Sequence, residues 1–281
     1  MLPRKLNFQP QPIDDPDDPR VADFFRLNDP DLRRAVERPG GGAGGAGEGF
    51  FVAEGALVIR QLLGSRYPVR AVLVTDQGLA ALEGELPAVD APVYRVSQSL
   101  MTTVTGFHFH RGALASAERL PHPDLATVVD GADLVLMAEG VTDNENLGAL
   151  FRNAAAFGVS GVVLDATSAD PLYRRSVRVS MGQVLRLPFA RVADSVEAIV
   201  RLQALGFEVL ALTPGATADD VRTVACRPRQ VLLVGAEGPG LSDAALAAAD
   251  RRLRIAMSGC VDSLNVATAA AVALHHLARP R

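Results

Sequence analysis

Residues 231–250 read VLLVGAEGPGLSDAALAAAD. The apolar run VLLV ends in a turn containing Gly235, Gly238 and Gly240, and Ser242 then stands where a helix N-cap belongs, ahead of an alanine-rich stretch. The pattern predicts a buried strand, a glycine turn and a helix. Such a turn lets backbone amides come close to a ligand at the helix start. The spacing is G-x-x-G-x-G, however, and not the dinucleotide fingerprint G-x-G-x-x-G. Glu237 within the turn also sits badly with a pyrophosphate. A tight turn without a ligand would use the same residues.

The same texture extends on both sides. DLVLMA (133–138), GVVLD (161–165), FARV (189–192), FEVLALT (207–213) and RLRIAM (252–257) read as further strands, with helical stretches between most of them. Near-continuous apolar strands alternating with helices predict an α/β fold with a parallel sheet covered on both faces. Asp194 with Glu197 signs one helix start, and Gly206 its end. Ligands of such sheets bind beyond the carboxyl ends of the strands, so the loops there hold the candidate chemistry. In the loop after DLVLMA, helical spacing from Asn146 gives Leu147, Leu150, Phe151 and Ala154 a packing face and leaves Arg152 and Asn153 polar. Arg152 wants an anionic partner, and a salt bridge would serve. After the last strand, Ser263 and Asn265 fall in the first turn of an alanine-rich helix, where a cap is the ordinary role.

Upstream the composition changes. Residues 1–20 carry five prolines and the run IDDPDD, too little apolar material to offset ordering entropy. With GGGAGGAGEG at 40–49, they predict a flexible extension and linker over 1–46, broken by a short helix after Pro30. A small α/β domain is expected over 47–120, its packed part starting near Phe50. FFVAEGALVIRQLLG reads as an amphipathic helix closed by Gly64, VRAVLV and VYRV as strands, and SQSLMTTV as a helix started by Ser97. LPHPD (120–124) marks the boundary to a second domain, 121–281.

Two domains agree with 281 residues at roughly 150 per domain. No stretch approaches the roughly 18 apolar residues needed to cross a bilayer, and MLPRKLNFQP has charges where a signal peptide is apolar, so a cytoplasmic protein is expected. Cys226 and Cys260 are the only cysteines, which excludes a disulfide framework and a four-thiolate metal site; both are expected as core thiols. Lys5 is the only lysine, so Walker-type ATPases and lysine-dependent aldolase or pyridoxal chemistry drop out. The other 27 basic residues are arginines, available to phosphates although compositional drift also explains their number. The net charge of −4 argues against a bulk polyelectrolyte binder but not against a local basic patch. Arg174, Arg175, Arg178 and Arg186, in PLYRRSVRVSMGQVLRLP (171–188), are the candidate patch; a solvated helix face is the plain alternative. His108 and His110 of FHFH share one side of an expected strand without a third ligand, so no metal is expected. His275 and His276 near a helix end have an ordinary dipole explanation. No G-x-S-x-G or H-E-x-x-H motif occurs.

Three ordered segments carry a resemblance. NLGALFRNAAAFG (146–158), LLVGAEGPGLS (232–242) and IAMSGCVDSLNVATAAA (255–271) resemble the three motifs of the SpoU (TrmH) class of RNA ribose 2′-O-methyltransferases in the SPOUT superfamily. The likeness covers about 125–281, and FVAEGALVIRQLL with VRAVLVTD resembles the small ribosomal-protein-like substrate-binding domain common in that family. It implies a parallel sheet with a trefoil knot, S-adenosylmethionine as methyl donor, an RNA substrate, an obligate homodimer, and no membrane or metal. By position it implies a cofactor pocket from Thr213 to Gly215, Gly235 to Gly240 and Ile255 to Leu264, including Met257, with backbone contacts at Gly235, Ile255 and Leu264. It places Asn146 and Arg152 at the reacting ribose, Glu237 in the active site, and Ser263 and Asn265 as contacts of the third motif. Ala256 stands where the family usually has proline. Because a guanidinium is effectively never deprotonated, Arg152 is expected to hold a phosphate and stabilise developing oxyanion charge rather than act as base. A small accessory domain favours ribosomal RNA over tRNA as substrate, by analogy. The alternative is a non-catalytic RNA-binding or ribosome-assembly factor on the same scaffold; a nicotinamide oxidoreductase fails on the glycine spacing.

Overall fold

The computed structural model describes residues 8–37, 49–215, 217–258 and 262–278. In chain order its elements are β1 (Gln11–Pro12), α1 (Pro30–Glu37), β2 (Phe50–Glu54), α2 (Ala56–Leu63), β3 (Val69–Val74), α3 (Asp76–Ala81), β4 (Val93–Arg95), α4 (Gln98–Thr105) and β5 (Ala113–Glu118). There follow α5 (Leu125–Val129), β6 (Leu134–Glu139), α6 (Asn144–Ala156), β7 (Gly161–Leu164), α7 (Arg174–Val179), β8 (Phe189–Arg191), α8 (Ser195–Ala204) and β9 (Glu208–Leu212). β10 (Asp219–Asp220), β11 (Gln230–Gly235), α9 (Asp243–Ala248), β12 (Arg251–Arg254) and α10 (Val266–Leu277) complete it. The chain divides into two units: Met1–Pro121 with Leu172–Arg186, and His122–Pro171 with Leu187–Arg281.

The first unit holds a five-stranded sheet in the order β1-β4-β3-β5-β2. Phe50–Glu54 is a strand, not the start of the expected helix: it pairs antiparallel with β5, Phe51 opposite Ala117, and all five residues are buried. A helix would have turned some of those side chains to solvent. The helix begins only after Gly55, whose φ of +85° breaks the strand, and it does end at Gly64. Ser97 caps α4 as expected, its hydroxyl accepting from the Leu100 amide at 3.1 Å.

The expected N-terminal tail is corrected over its described part. β1 runs parallel to β4, the Ile13 amide donates to the Arg95 carbonyl at 3.0 Å, and Ile13, Val21, Phe24 and Leu27 are buried with Phe50, Leu73, Tyr94 and Met101. Burying each such side chain contributes about 1.5–3 kcal/mol, which offsets the ordering cost. Within the acidic run that suggested disorder, Asp15 accepts from the Asp17 amide at 2.9 Å and Asp18 caps the turn at Pro19–Phe24 through the Arg20 amide; further on, Asp23 pairs with Arg70 at 2.9 Å. The glycine-rich stretch at 40–48 and Cys260 lie outside the described residues.

Leu172–Arg186 also belongs to the first unit, so the methyltransferase-like half expected as a continuous 121–281 is interrupted. Arg174 ion-pairs with the buried Glu54 and donates to the Leu27 carbonyl at 3.0 Å, and Arg178 lies 3.7 Å from the same carboxylate. Glu54 is only 2% exposed, and a carboxylate so buried requires paired charge. Arg175 and Arg186 are exposed.

The second unit is a parallel seven-stranded sheet in the order β10-β12-β9-β11-β6-β7-β8. β6 sits centrally. The chain leaves it toward β7 and β8 and then returns on the other side, so the order reverses between β6 and β11, where such sheets place their ligands. Asp194 caps α8 through the Glu197 amide at 2.9 Å, and Gly206 follows its end with φ +87°. β12 is shorter than expected, its pairing ending at Arg254, so Ile255 and Met257 leave the sheet. Cys226 is exposed, not a core thiol, and its Sγ donates to the Leu277 carbonyl at 2.9 Å. His108 and His110 lie in an irregular loop rather than a strand, with Nδ1 and Nε2 3.0 Å apart; no group of three or more His, Cys, Asp or Glu able to hold a metal occurs among the described residues. None of the described helices is long and apolar enough to cross a membrane.

Candidate active site

A cavity of about 460 Å³ opens beyond the carboxyl ends of β9, β11 and β12, within the roughly 300–1,000 Å³ typical of small-molecule sites. Leu212, Thr213 and Pro214 form one side, Val234 to Gly238 with Gly240 a second, and Ile255 with Met257 a third. Ser263 to Val266 and Ala269, at the start of α10, complete it. The expected residues Thr213, Gly235, Gly240, Ile255, Met257 and Leu264 all line it; Gly215 follows in the same turn but does not. Leu212, Val234 and Val266 fall outside the stretches expected from sequence, although each directly flanks a chosen position at a strand end or helix start.

Gly235 shows why the loop needs glycine. A Cβ there would stand 2.4 Å from the Gly240 carbonyl carbon and the Leu241 nitrogen, because the loop folds back on itself through the Gly240 amide to the Ala236 carbonyl at 3.1 Å. Below it, Glu139 at the end of β6 accepts from the Ser242 amide at 2.9 Å and hydroxyl at 3.0 Å, while Ser242 caps α9. Glu139 was overlooked in the sequence; its place at a central strand's carboxyl end was the available signal.

Polar chemistry collects at the solvent edge. Asn265 Nδ2 donates to Asn146 Oδ1 at 2.8 Å and to Glu237 Oε1 at 2.6 Å, and its Oδ1 accepts from the Ala267 and Thr268 amides at 3.0 and 3.2 Å. One side chain thus caps α10 and joins three chain segments. Asn146 is itself set by Asp143, whose carboxylate caps α6 by accepting from the Glu145 and Asn146 amides at 2.9 and 2.8 Å. Asn153 holds α6 to α10 through the Ala267 carbonyl at 2.8 Å. Ser263 lines the cavity and is exposed. Arg152 is not brought into this cluster: six residues beyond Asn146, it leaves the helix roughly 120° away, exposed and with no hydrogen-bond or ion-pair partner among the described residues.

Apolar walls, a glycine loop, the Glu237 carboxylate and the Asn265 amide around one cavity beyond the carboxyl ends of parallel strands define an α/β protein with a cavity of small-molecule size edged by a polar cluster. The chain belongs to the SpoU rRNA Methylase family, whose model matches residues 133–275, and it is an RNA methyltransferase. It is 47% identical over 272 residues to an uncharacterized tRNA/rRNA methyltransferase of Mycobacterium bovis, covering 96% of this chain and 92% of the relative. A 23S rRNA (guanosine-2′-O-)-methyltransferase, RlmB, of Photobacterium profundum is 29% identical over 225 residues, 76% of this chain and 91% of the relative. Among solved structures, the AdoMet-bound rRNA methyltransferase of Sinorhizobium meliloti matches with TM-score 0.76 and 26% identity, over 95% of this chain and 97% of that one. S-adenosylmethionine is the cofactor of the family.

Proposed function

We propose that this chain transfers a methyl group to the 2′-oxygen of a ribose in structured RNA, ribosomal RNA in preference to tRNA. The observation that carries the reading is the contact of Asn265 with both Asn146 and Glu237 at the edge of the cavity. These groups can orient a hydroxyl and stabilise charge developing on it. The activity of the Photobacterium relative supports the ribose and the ribosomal RNA.

The cavity fits S-adenosylmethionine. Leu212, Val234, Ile255, Met257 and Leu264 offer apolar surface to the adenosine, the Gly235–Gly240 loop presents backbone, and Glu237 brings negative charge suited to a sulfonium rather than a pyrophosphate. When bound, the cofactor supplies an electrophilic methyl group. Arg152, free of protein partners among the described residues, binds the phosphate next to the target ribose. Arg186 is exposed and can contact phosphates, whereas Arg174 and Arg178 first serve Glu54. The first unit grips the RNA. A homodimer covers the apolar side chains of Leu264 and Val272, which are 37% and 42% exposed.

The test is transfer of labelled methyl from S-adenosylmethionine to total ribosomal RNA and to tRNA, followed by alkaline hydrolysis. Ribose 2′-O-methylation blocks cleavage of the adjoining phosphodiester, so label in alkali-resistant dinucleotides of ribosomal RNA is expected. Label on mononucleotides would overturn the ribose assignment, and label in tRNA alone the preference.

A further inference from the structure

Asp165 immediately follows β7 and is 7% exposed, outside the cavity lining. Its Oδ1 accepts from the Gly140 amide at 3.0 Å, the Ser168 amide at 2.9 Å and the Ser168 hydroxyl at 2.5 Å. Its Oδ2 accepts from the Thr167 amide at 3.3 Å and from the Thr167 hydroxyl. The Gly140 bond crosses from the loop after β7 to the loop after β6. Two more bonds run beside it: the Val141 amide donates to Ser168 Oγ at 3.3 Å, and the Ala169 amide to the Val141 carbonyl at 2.9 Å. Arg191 on β8 holds the far side of the turn by donating to the Ser168 and Ala169 carbonyls at 2.9 and 2.5 Å.

The tied loop leads directly to Asp143, the cap that sets Asn146 against Asn265. Gly140 has φ +69°, and a Cβ built there would meet that of Ala236, in the glycine loop of the site, at 3.4 Å. The peptide entering α6 therefore has a fixed origin. Burial pushes the Asp165 carboxyl up, but hydrogen bonds from Ser168, Thr167 and Gly140 outweigh it and hold the group below the usual carboxylate range, so it is ionised and a strong acceptor.

We propose that Asp165 is a positioning residue for methyl transfer: through Gly140 it fixes the start of α6 and hence the place of Asn146 in the Asn146–Asn265–Glu237 cluster. This rests on the reading of that cluster as the reaction site. Small displacements of reacting groups, on the order of 1 Å, can cost about 100-fold in rate, and the loop lies outside the cofactor cavity.

The experiment compares Asp165→Asn, Asp165→Ala and Ser168→Ala with wild type, and with Leu202→Ala, a destabilising change in the core under α8 that lines no part of the cavity. Cofactor affinity by calorimetry, kcat and KM for RNA, thermal midpoint and amide hydrogen exchange over 139–147 are measured. The expected result is about a 10- to 100-fold fall in kcat for the Asp165 variants, a smaller fall for Ser168→Ala, unchanged cofactor affinity, and faster exchange confined to 139–147. Leu202→Ala should lose thermal stability and keep kcat at a temperature where it is folded. Wild-type kcat in Asp165→Ala, or losses of affinity and kcat that track thermal stability in all variants, would overturn the proposal. If the wild-type chain transfers no methyl group, the reaction reading fails, and exchange over 139–147 still decides whether Asp165 holds the helix start.

Discussion

Asn265 serves local structure and chemistry through opposite ends of one amide. Its oxygen caps α10 while its nitrogen donates to Asn146 and Glu237. Asn265→Asp separates the two roles, because a carboxylate still caps the helix but places a second acceptor opposite Glu237. Thermal stability should change little, and methyl transfer should fall by about 100-fold, the scale of losing one oriented donor. Arg152→Lys makes a different test: cofactor binding by calorimetry should be retained with turnover lost, since an ammonium cannot reproduce the planar fork on a phosphate. Near-normal turnover would remove Arg152 from the reaction. Asp165 makes stability depend on pH. Its folded pKa is depressed, so its contribution is fully present above the ordinary carboxylate range and is lost as pH falls through the lower folded value. Thermal melts should therefore show the gap between wild type and Asp165→Asn widest near neutrality and closing as pH falls below the ordinary carboxylate range. The motif residues Asn146, Glu237 and Asn265 stand in the sequence, but the bonds among them do not: Asn265 lies 119 positions from Asn146 and 28 from Glu237.

At the scale of elements, the turn between β11 and α9 is a backbone device. Gly235→Ala would force the Gly240–Leu241 peptide away from its 2.4 Å approach, and both sides of the contact are backbone. Loss of measurable cofactor binding is expected, with a lowered thermal midpoint; retained affinity would show that the loop relaxes without closing the cavity. The strands of the parallel sheet were legible because apolar runs such as VLLV and LVLM, buried on both faces, have no other use in a chain of this composition. The same feature obscured β2. FFVAE joined to ALVIRQLL forms one apolar stretch in which periodicity does not separate a buried strand from a helix, and only the positive φ of Gly55 marks the division.

The whole molecule assigns roles that local reading missed. Residues 11–27 have few apolar side chains at irregular spacing, yet Ile13, Val21, Phe24 and Leu27 complete the core of the first unit. Deleting residues 1–28 should expose Phe50, Leu73 and Met101 and cost several kcal/mol, at about 1.5–3 kcal/mol for each buried side chain lost. Calorimetry should show a lowered transition or an insoluble protein; an unchanged transition would restore the view of this segment as a linker. Leu172–Arg186 is likewise assigned by tertiary structure, because the partner of Arg174 is 120 positions away at Glu54. What the sequence by itself determined was the parallel α/β half, its glycine turn and its caps, since those depend on burial pattern, on backbone conformation and on neighbours within a few residues. Tertiary structure alone decided which unit the N-terminal segment and α7 join, which arginines neutralise Glu54, and that Asp165 ties the loop entering α6. Such contacts are made by single polar or apolar groups far apart in the chain, and no local period or spacing records them.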